Sequence, residues 1–333
     1  MNRTIDWDGE AVVIIDQTLL PDEERLLRLR EVEQLAEAIR TLRVRGAPAL
    51  GVAGALGIAL AVRLAQAGGA DIEAAADRAA EELAATRPTA VNLRWGIAQA
   101  RRAVSEGPEA VLAAAQAVLE ADVRTNRAMA ERGATWLESV SQTRQRPLRV
   151  LTHCNTGALA CVEIGTALGV IQVAHEHGSV EEVIATETRP LLQGSRLTAW
   201  ELKRLGVPFR LVADAAAPGL IAAGRVDVVI VGADRIAANG DVANKVGTYP
   251  LALAAARSHV PFVVVAPEST RDPMTATGLD IPIEERGEDE VLGFGGRQVA
   301  PEGTRALNPA FDVTPADLVT AIITESRVIS IDG

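Results

Sequence analysis

The sequence predicts an α/β protein in which a mainly helical N-terminal domain with a small β segment precedes a Rossmann-like domain with a doubly wound parallel sheet. Before about residue 140, apolar residues recur at helical spacing with charges on the opposite face. From Pro147 onward, short Val- and Ile-rich runs alternate with helical stretches, as in sheets buried on both faces. We therefore expect two domains, over residues 1–140 and 147–333.

The N-terminal domain opens with a β-like pattern over residues 5–20 and continues as helices. The helical segments include EVEQLAEAIRTL, DIEAAADRAAEELAA and PEAVLAAAQAVLEADV, separated by breaks such as RGAPALG and RPTAVN. Residues 47–62 form an uncharged, mostly apolar run of sixteen residues, short of the ~20 that cross a bilayer. We predict a buried helix there.

Five apolar runs predict the parallel strands of the second domain, joined by right-handed helical crossovers. They are LRVLTHC, EEVIATE, PFRLVAD, VDVVIVGAD and PFVVVAP. The final segment, NPAFDVTPADLVTAIITESRVIS, predicts one last helix and a closing strand.

Charge and cysteine usage narrow the function classes. The chain of 333 residues carries 33 Lys and Arg against 44 Asp and Glu, and only Lys203 and Lys245 are lysines. With a net charge of -11 and no basic stripe, it is not expected to bind nucleic acid or an anionic membrane surface. Two cysteines supply no disulfide framework and the segment MNRTIDWDGE has no apolar signal region, so we expect a reducing, cytoplasmic setting.

Cys154 ends the first predicted strand, where open α/β sheets bind their ligands. A helix predicted to open near Gly157 would favour its thiolate and make it an acid/base or a nucleophile. The alternative is a small buried hydrophobe. The polar context THCNTG favours the functional role, whereas Cys161, within ALACVEIG, is predicted to be core.

Asp234 follows the apolar strand VDVVIVGA, so burial is expected to raise its pKa and make it a proton donor near neutral pH. The alternative is an N-cap for the next helix. A parallel sheet brings strand-end residues such as Cys154 and Asp234 to the same edge, as an acid/base pair requires.

Several segments predict an anion site. A helix expected to begin near Asn244 would place Lys245 at its positive end. In RGAPALG, Arg45 offers a guanidinium fork and Gly46 allows close approach. Arg87 precedes a Pro and a predicted helix, and RPLLQGSR adds Gln193. Ordinary caps, salt bridges or a solvated lysine are the alternatives.

Neither a nucleotide motif nor metal spacing is present in the sequence. No GxxxxGK[ST] occurs, and GVAGALG has the wrong spacing for a dinucleotide fingerprint. His175 and His177 are two residues apart and do not share a helix face. His153 and His259 are expected to be structural, and we predict neither metal nor cofactor.

The motifs together resemble the methylthioribose-1-phosphate isomerase family of methionine salvage. They are RGAPALG, RPTAVNLRW, LTHCNTGALA, ETRPLLQGSRLTAWEL, VGADRIAANGDVANKVGTYPLA, APEST, IPIEER and NPAFDVTP. The resemblance implies a homodimer with Cys154 and Asp234 as the catalytic pair. It also implies substrate contacts from Arg45, Gly46, Ala47, Arg87, Gln193, Asn244 and Lys245.

The implied activity is conversion of 5-methylthioribose 1-phosphate to 5-methylthioribulose 1-phosphate, with Asp234 as general acid toward the ring oxygen. Hydrogen then passes from C2 to C1, either as a proton with Cys154 as base or as a hydride in a dry pocket with Cys154 stabilising the charge. The wider superfamily leaves two alternatives, a ribose-1,5-bisphosphate isomerase and a non-catalytic regulatory subunit that binds sugar phosphates or nucleotides.

Overall fold

A computed structural model describes residues 3–330, so the outermost ends of both predicted domains, 1–2 and 331–333, lie outside the described residues. The chain begins with a small antiparallel sheet in which Ile5 pairs with Ile14 and Val12 pairs with Leu29. Its strands are β1 (Ile5–Trp7), β2 (Val12–Ile15) and β3 (Leu26–Leu29). This confirms the β-like pattern at the start of the sequence.

Five helices follow and enclose the first core. They are α1 (Val32–Arg40), α2 (Ala47–Ala67), α3 (Ile72–Thr86), α4 (Val91–Arg101) and α5 (Pro108–Arg144). Helix α2 has 21 residues and is long and apolar enough to cross a membrane, but 78% of its most apolar window is buried inside the protein. Burial, rather than shortness, identifies it as the core helix that the sequence predicted.

The remaining elements form the second core and its edge. The helices are α6 (Ala167–Glu176), α7 (Ala199–Leu205), α8 (Ala217–Ala222), α9 (Thr248–Arg257) and α10 (Asp289–Leu292). The strands are β4 (Leu148–Thr152), β5 (Val180–Thr186), β6 (Phe209–Val212), β7 (Val228–Val231), β8 (Arg235–Ala237), β9 (Val242–Lys245), β10 (Phe262–Val265), β11 (Arg271–Asp272), β12 (Gly293–Phe294), β13 (Arg297–Gln298), β14 (Phe311–Thr314), β15 (Ala321–Ile323) and β16 (Val328–Ser330).

The main sheet has the order β16-β15-β10-β7-β4-β5-β6 and is parallel except at β16. Strands β4, β5, β6, β7 and β10 are the five predicted runs, so that part of the fold is confirmed. Strands β7 and β10 are buried along their whole length because helices cover both faces of the sheet, whereas the middle residues of the edge strand β6 are exposed. Since β4 pairs directly with β7, the residues after Thr152 and after Val231 emerge side by side.

Three local predictions were wrong, each because a distant segment replaces a helix with other structure. No α-helix opens at Gly157; a single 3-10 turn over Ala158–Ala160 precedes α6. The segment before α9 is strand β9, since it pairs with β14 in a small sheet of order β11-β8-β9-β14. The predicted last helix is only a 3-10 turn, Ala316–Leu318, between β14 and β15.

Candidate active site

A cleft of about 110 Å³ lies between the first turns of α2 and α4 and the carboxyl edge of the main sheet. All nine residues predicted to form the site line it: Arg45, Gly46, Ala47, Arg87, Cys154, Gln193, Asp234, Asn244 and Lys245. The fold therefore brings together residues that are spread over 201 positions of sequence. Their convergence reflects the adjacency of strand ends and of helix starts, as expected for an open α/β sheet.

Cys154 follows β4 with a left-handed backbone, at φ 63°. Its N–H donates to Thr188 Oγ1 at 3.0 Å, and its carbonyl accepts from Thr198 Oγ1 at 2.6 Å. No α-helix opens at Gly157, so the helix terminus that was predicted to favour the thiolate is absent there. Arg45 is a neighbouring cation, and its Nη1 lies 3.9 Å from the Cys154 Sγ atom.

The second cysteine has the structural role predicted for it. Cys161 is fully buried, and its Sγ lies 3.6 Å from Asn126 Oδ1. Burial raises the pKa of this thiol well above its usual range. Only Cys154 faces the cleft.

Asp234 follows β7 and lies between it and β8, so it does not cap a helix. Its N–H donates to the carbonyl of Ala243 at 2.9 Å. Removal of water by the surrounding protein raises the pKa of the carboxyl, while the positive charges of Lys245, Arg87 and Arg45 oppose the rise. The direction is the one expected for a proton donor.

Lys245 ends strand β9. Its Nζ donates to the carbonyl of Ala310 at 2.9 Å and lies 5.0 Å from the centre of the Phe311 ring. Burial lowers the pKa of Lys245, and negative charge at Cys154 or Asp234 opposes that change. The cation is thus held in the cleft by a strand and an aromatic face, not by a helix end.

Arg45, Gly46 and Ala47 form the start of α2. Gly46 has φ 101°, and a Cβ atom there would lie 2.5 Å from the Cα of Ala160, so only glycine fits. Arg45 is 8% exposed, and its Nε donates to Gln17 Oε1 at 3.2 Å. The free N–H groups of this long helix's first turn add to the positive potential of the cleft.

Arg87, between α3 and α4, is paired with Glu284, their atoms Nη2 and Oε2 being 3.0 Å apart. Glu284 also accepts from Arg286 Nη1 at 3.1 Å. Burial alone would raise the pKa of Glu284, but the two guanidinium groups outweigh it and lower the pKa. Arg87 therefore enters the cleft as an oriented cation.

Gln193 and Asn244 supply neutral polar groups. The Oε1 of Gln193 is buried and has no hydrogen-bond partner within residues 3–330, which leaves an acceptor for a hydroxyl donor. The Nδ2 of Asn244 donates to Thr248 Oγ1 at 2.9 Å, which leaves its carbonyl oxygen for other donors.

Sequence reasoning missed Arg286, Glu284 and Asn92. Asn92 and Arg286 line the cleft, and the Oδ1 of Asn92 is buried without a partner in the described chain. The segments RPTAVNLRW and IPIEER contained these residues, but no spacing rule distinguished them from ordinary helix caps and surface ion pairs.

His153 is structural, as predicted. It is buried, with Nδ1 2.6 Å from Thr186 Oγ1 and Nε2 2.9 Å from the carbonyl oxygen of Val246. Burial lowers its pKa. Within residues 3–330, no group of three or more His, Cys, Asp or Glu residues is arranged to hold a metal ion.

A carboxyl group, a thiol and several cations at the carboxyl edge of a parallel sheet define an α/β enzyme that acts on a small anionic substrate. Residues 43–330 match the group described as the initiation factor 2 subunit family. A crystal structure of 5-methylthioribose 1-phosphate isomerase from Pyrococcus horikoshii OT3 covers 99% of this chain and 93% of its own, with a TM-score of 0.87 and 41% identity. The chain therefore belongs to the initiation factor 2 subunit family and, within it, to the methylthioribose-1-phosphate isomerases.

Two other proteins are also similar to this chain. The chain is 54% identical over 98% of its length to a probable bifunctional methylthioribose-1-phosphate isomerase/methylthioribulose-1-phosphate dehydratase of Nocardia farcinica, and it spans 59% of that protein. A crystal structure described as translation initiation factor eIF-2B subunit delta from A. fulgidus has a TM-score of 0.84 and 45% identity, covering 99% of this chain and 96% of its own. The family resemblance predicted from the motifs is confirmed.

Proposed function

We propose that this chain is the isomerase that converts 5-methylthioribose 1-phosphate to 5-methylthioribulose 1-phosphate in methionine salvage, acting as a cytoplasmic homodimer. The observation that carries the proposal is that Cys154 and Asp234 follow adjacent strands and face one cleft with Arg45, Arg87 and Lys245. The cations match a phosphate, and the thiol and carboxyl supply the acid/base groups that an aldose-ketose isomerisation needs.

The first step in the proposed mechanism is ring opening. The phosphate on C1 blocks the free aldehyde, so the bond from C1 to the ring oxygen must break with assistance. Asp234, whose raised pKa keeps a proton available toward neutral pH, donates that proton to the ring oxygen. The developing positive charge at C1 is stabilised by the oxygen that carries the phosphate.

The second step moves hydrogen from C2 to C1 by one of two routes. In one, Cys154 removes the C2 proton, an enol phosphate forms, and C1 is reprotonated as the C2 hydroxyl loses its proton. In the other, the C2 hydrogen passes to C1 as a hydride with Cys154 stabilising the charge, and the C2 hydroxyl becomes the carbonyl by giving its proton to the Asp234 carboxylate that ring opening produced. Turnover in deuterated water separates them, because deuterium at C1 of the product excludes a direct hydride shift.

The apolar part of the cleft favours the methylthio substrate over a bisphosphate. It includes Leu50, Leu191, Ile281, Pro282 and Phe311. Such a surface suits a thioether, whereas a second phosphate would need further positive charge at this end of the cleft. Arg286, an additional cation of the cleft, is neutralised by Glu284 and by Glu290, whose Oε1 accepts from Arg286 Nε at 2.9 Å.

Assaying both sugar phosphates side by side tests the proposal. We expect turnover of 5-methylthioribose 1-phosphate and kcat/KM for ribose 1,5-bisphosphate lower by at least about tenfold, since one phosphate would lie against apolar side chains. Turnover of neither substrate would favour a regulatory subunit. Sedimentation of the purified chain tests the homodimer.

A further inference from the structure

Glu201, on α7, is a buried carboxylate that the proposed mechanism does not use. It is 5% exposed, and the hydrogen-bond donors that the described residues place against it are uncharged. Its Oε1 accepts from Asn155 Nδ2 at 2.8 Å, and its Oε2 accepts from the N–H of Ala158 at 2.7 Å. Burying a carboxylate without a paired cation costs folding free energy. A carboxylate held in such a place by three hydrogen-bond donors therefore suggests a role other than stability.

The loop beside Glu201 is shaped to admit the carboxylate. A Cβ atom on Gly157 would lie 2.2 Å from Glu201 Oε2, so any other residue at that position would displace the carboxylate. The N–H of Leu159 points to Oε1 at 3.4 Å. The carboxylate thereby takes the place of a helix in ordering the segment between β4 and α6.

The chemistry of the neighbours fixes the orientation of the Asn155 amide. A guanidinium only donates hydrogen bonds, and the Glu201 oxygens accept from the N–H groups of Ala158 and Leu159. The amide nitrogen of Asn155 must therefore face Glu201, and its Oδ1 faces Arg45, whose Nη2 donates to it. Arg45 Nη2 also donates to the Asn155 carbonyl at 3.0 Å, and Arg45 Nη1 lies 3.9 Å from the Cys154 Sγ atom.

We propose that Glu201 is a positioning residue that locks the Asn155 amide and, through it, holds the Arg45 guanidinium against Cys154 and the substrate phosphate. This inference rests on the proposed function. Removing the acceptor character at residue 201 lets the Asn155 amide turn its NH2 group toward Arg45, which displaces the guanidinium without changing any group that touches substrate.

Three variants test the chain of contacts. Glu201→Gln and Asn155→Asp each break the match of donors and acceptors, and we expect each to raise KM about tenfold or more, with a smaller change in kcat. In the double variant E201Q/N155D, one carboxylate oxygen of residue 155 accepts from Arg45 and the other accepts from the amide NH2 group of residue 201, so donors and acceptors match again. We expect it to recover KM to within about threefold of the wild-type value.

The pH profile of Asn155→Asp gives a second readout that does not depend on Glu201→Gln folding. Facing carboxylates at residues 155 and 201 form the needed hydrogen bond only when they share a proton. KM of this variant should therefore rise with pH, while wild-type KM does not follow the same curve. A pH-independent KM, or a double variant no better than either single variant, would overturn the inference.

Asp227→Asn is the matched control, since Asp227 is a 1% exposed carboxylate at the opposite edge of the same sheet, bound by Arg146 and Arg149. It should lower the Tm and leave KM and kcat unchanged. Wild-type turnover is measured first: its absence would contradict the proposed function, whereas wild-type turnover with an unaltered Glu201→Gln would contradict only the positioning role.

Discussion

The two walls of the cleft differ in how they hold their functional groups. The helical wall, made by the start of α2 and the segment before α4, presents arginines fixed by neutral or acidic partners, as Arg87 is by Glu284. The sheet wall, made by the ends of β4, β5, β7 and β9, holds groups in less favourable states. Cys154 and Thr188 have left-handed backbones without being glycine, and burial shifts the pKa of Asp234 and of Lys245.

This difference indicates a division of labour. A strained backbone and a shifted pKa each cost folding free energy, which the surrounding structure must offset. Proteins therefore concentrate such groups at sites where they are needed for chemistry. Well-paired arginines cost little and suit binding of a phosphate that is the same in substrate and product. Substitutions of the acid/base groups Cys154 and Asp234 on the sheet wall should therefore lower kcat, and those of the arginines on the helical wall should raise KM.

Asp234→Asn is the most severe test of the sheet wall. Asparagine keeps the shape but donates no proton to the ring oxygen, so kcat should fall about 10²- to 10⁴-fold with KM nearly unchanged. Steady-state kinetics measure the split, and an unchanged or higher Tm shows that the fold is intact, since the substitution removes a buried acid. A fall confined to KM would place Asp234 among the binding groups instead.

Cys154→Ser should lower kcat about 10²-fold, because a hydroxyl ionises far less readily than a thiol and is the poorer acid/base group. Cys161→Ser serves as control: it lies in the core, so it should lower the Tm and leave kcat unaltered. If Cys154→Ser kept full turnover, Cys154 would have no role in either route for the transfer of the C2 hydrogen.

The sequence predicts the strands of the sheet wall better than it predicts the segments that follow them, for a physical reason. Strands β4 and β7 are apolar on both faces, and parallel pairing then brings Cys154 and Asp234 together. The position of Lys245 depends on pairing with Phe311, 66 residues away, and local pattern carries no information on that partner. Likewise, the segment after Cys154 is ordered by Glu201 from a later helix, so a helix start was predicted where none exists.

Arg87→Lys tests the helical wall. Lysine keeps the charge but loses the planar fork that binds Glu284 and a phosphate together, so KM should rise about tenfold while kcat changes less than about threefold. Arg305→Lys is the control, because Arg305 is an exposed arginine that pairs with Glu288 at 2.7 Å. A fall in kcat as large as the rise in KM would show that the helical wall also acts in the transition state.

Lys245→Arg tests whether a cation on the sheet wall contributes to substrate binding, seen in KM, or to chemistry, seen in kcat. The longer guanidinium cannot occupy the place where Nζ meets the Ala310 carbonyl and the Phe311 ring without displacing one of them. We expect KM to rise about fivefold, with little change in kcat. Unchanged kinetics would show that the near absence of lysine from the sequence has no bearing on the site.

Asp122 shows that a shifted pKa alone does not mark the reacting wall. It lies on α5 away from the cleft, accepts from the N–H of Val162 at 3.0 Å, and burial raises its pKa from 3.8 to about 7. Between about pH 4 and pH 7 the folded chain retains a proton that the unfolded chain has lost, so the free energy of unfolding falls as pH rises through this window. Asp122→Asn should remove that part of the slope in urea unfolding from pH 4 to pH 8, and leave kcat and KM unchanged. An unaltered slope would show that Asp122 is ionised in the folded protein throughout, and a loss of kcat would extend the reacting region into the helical domain.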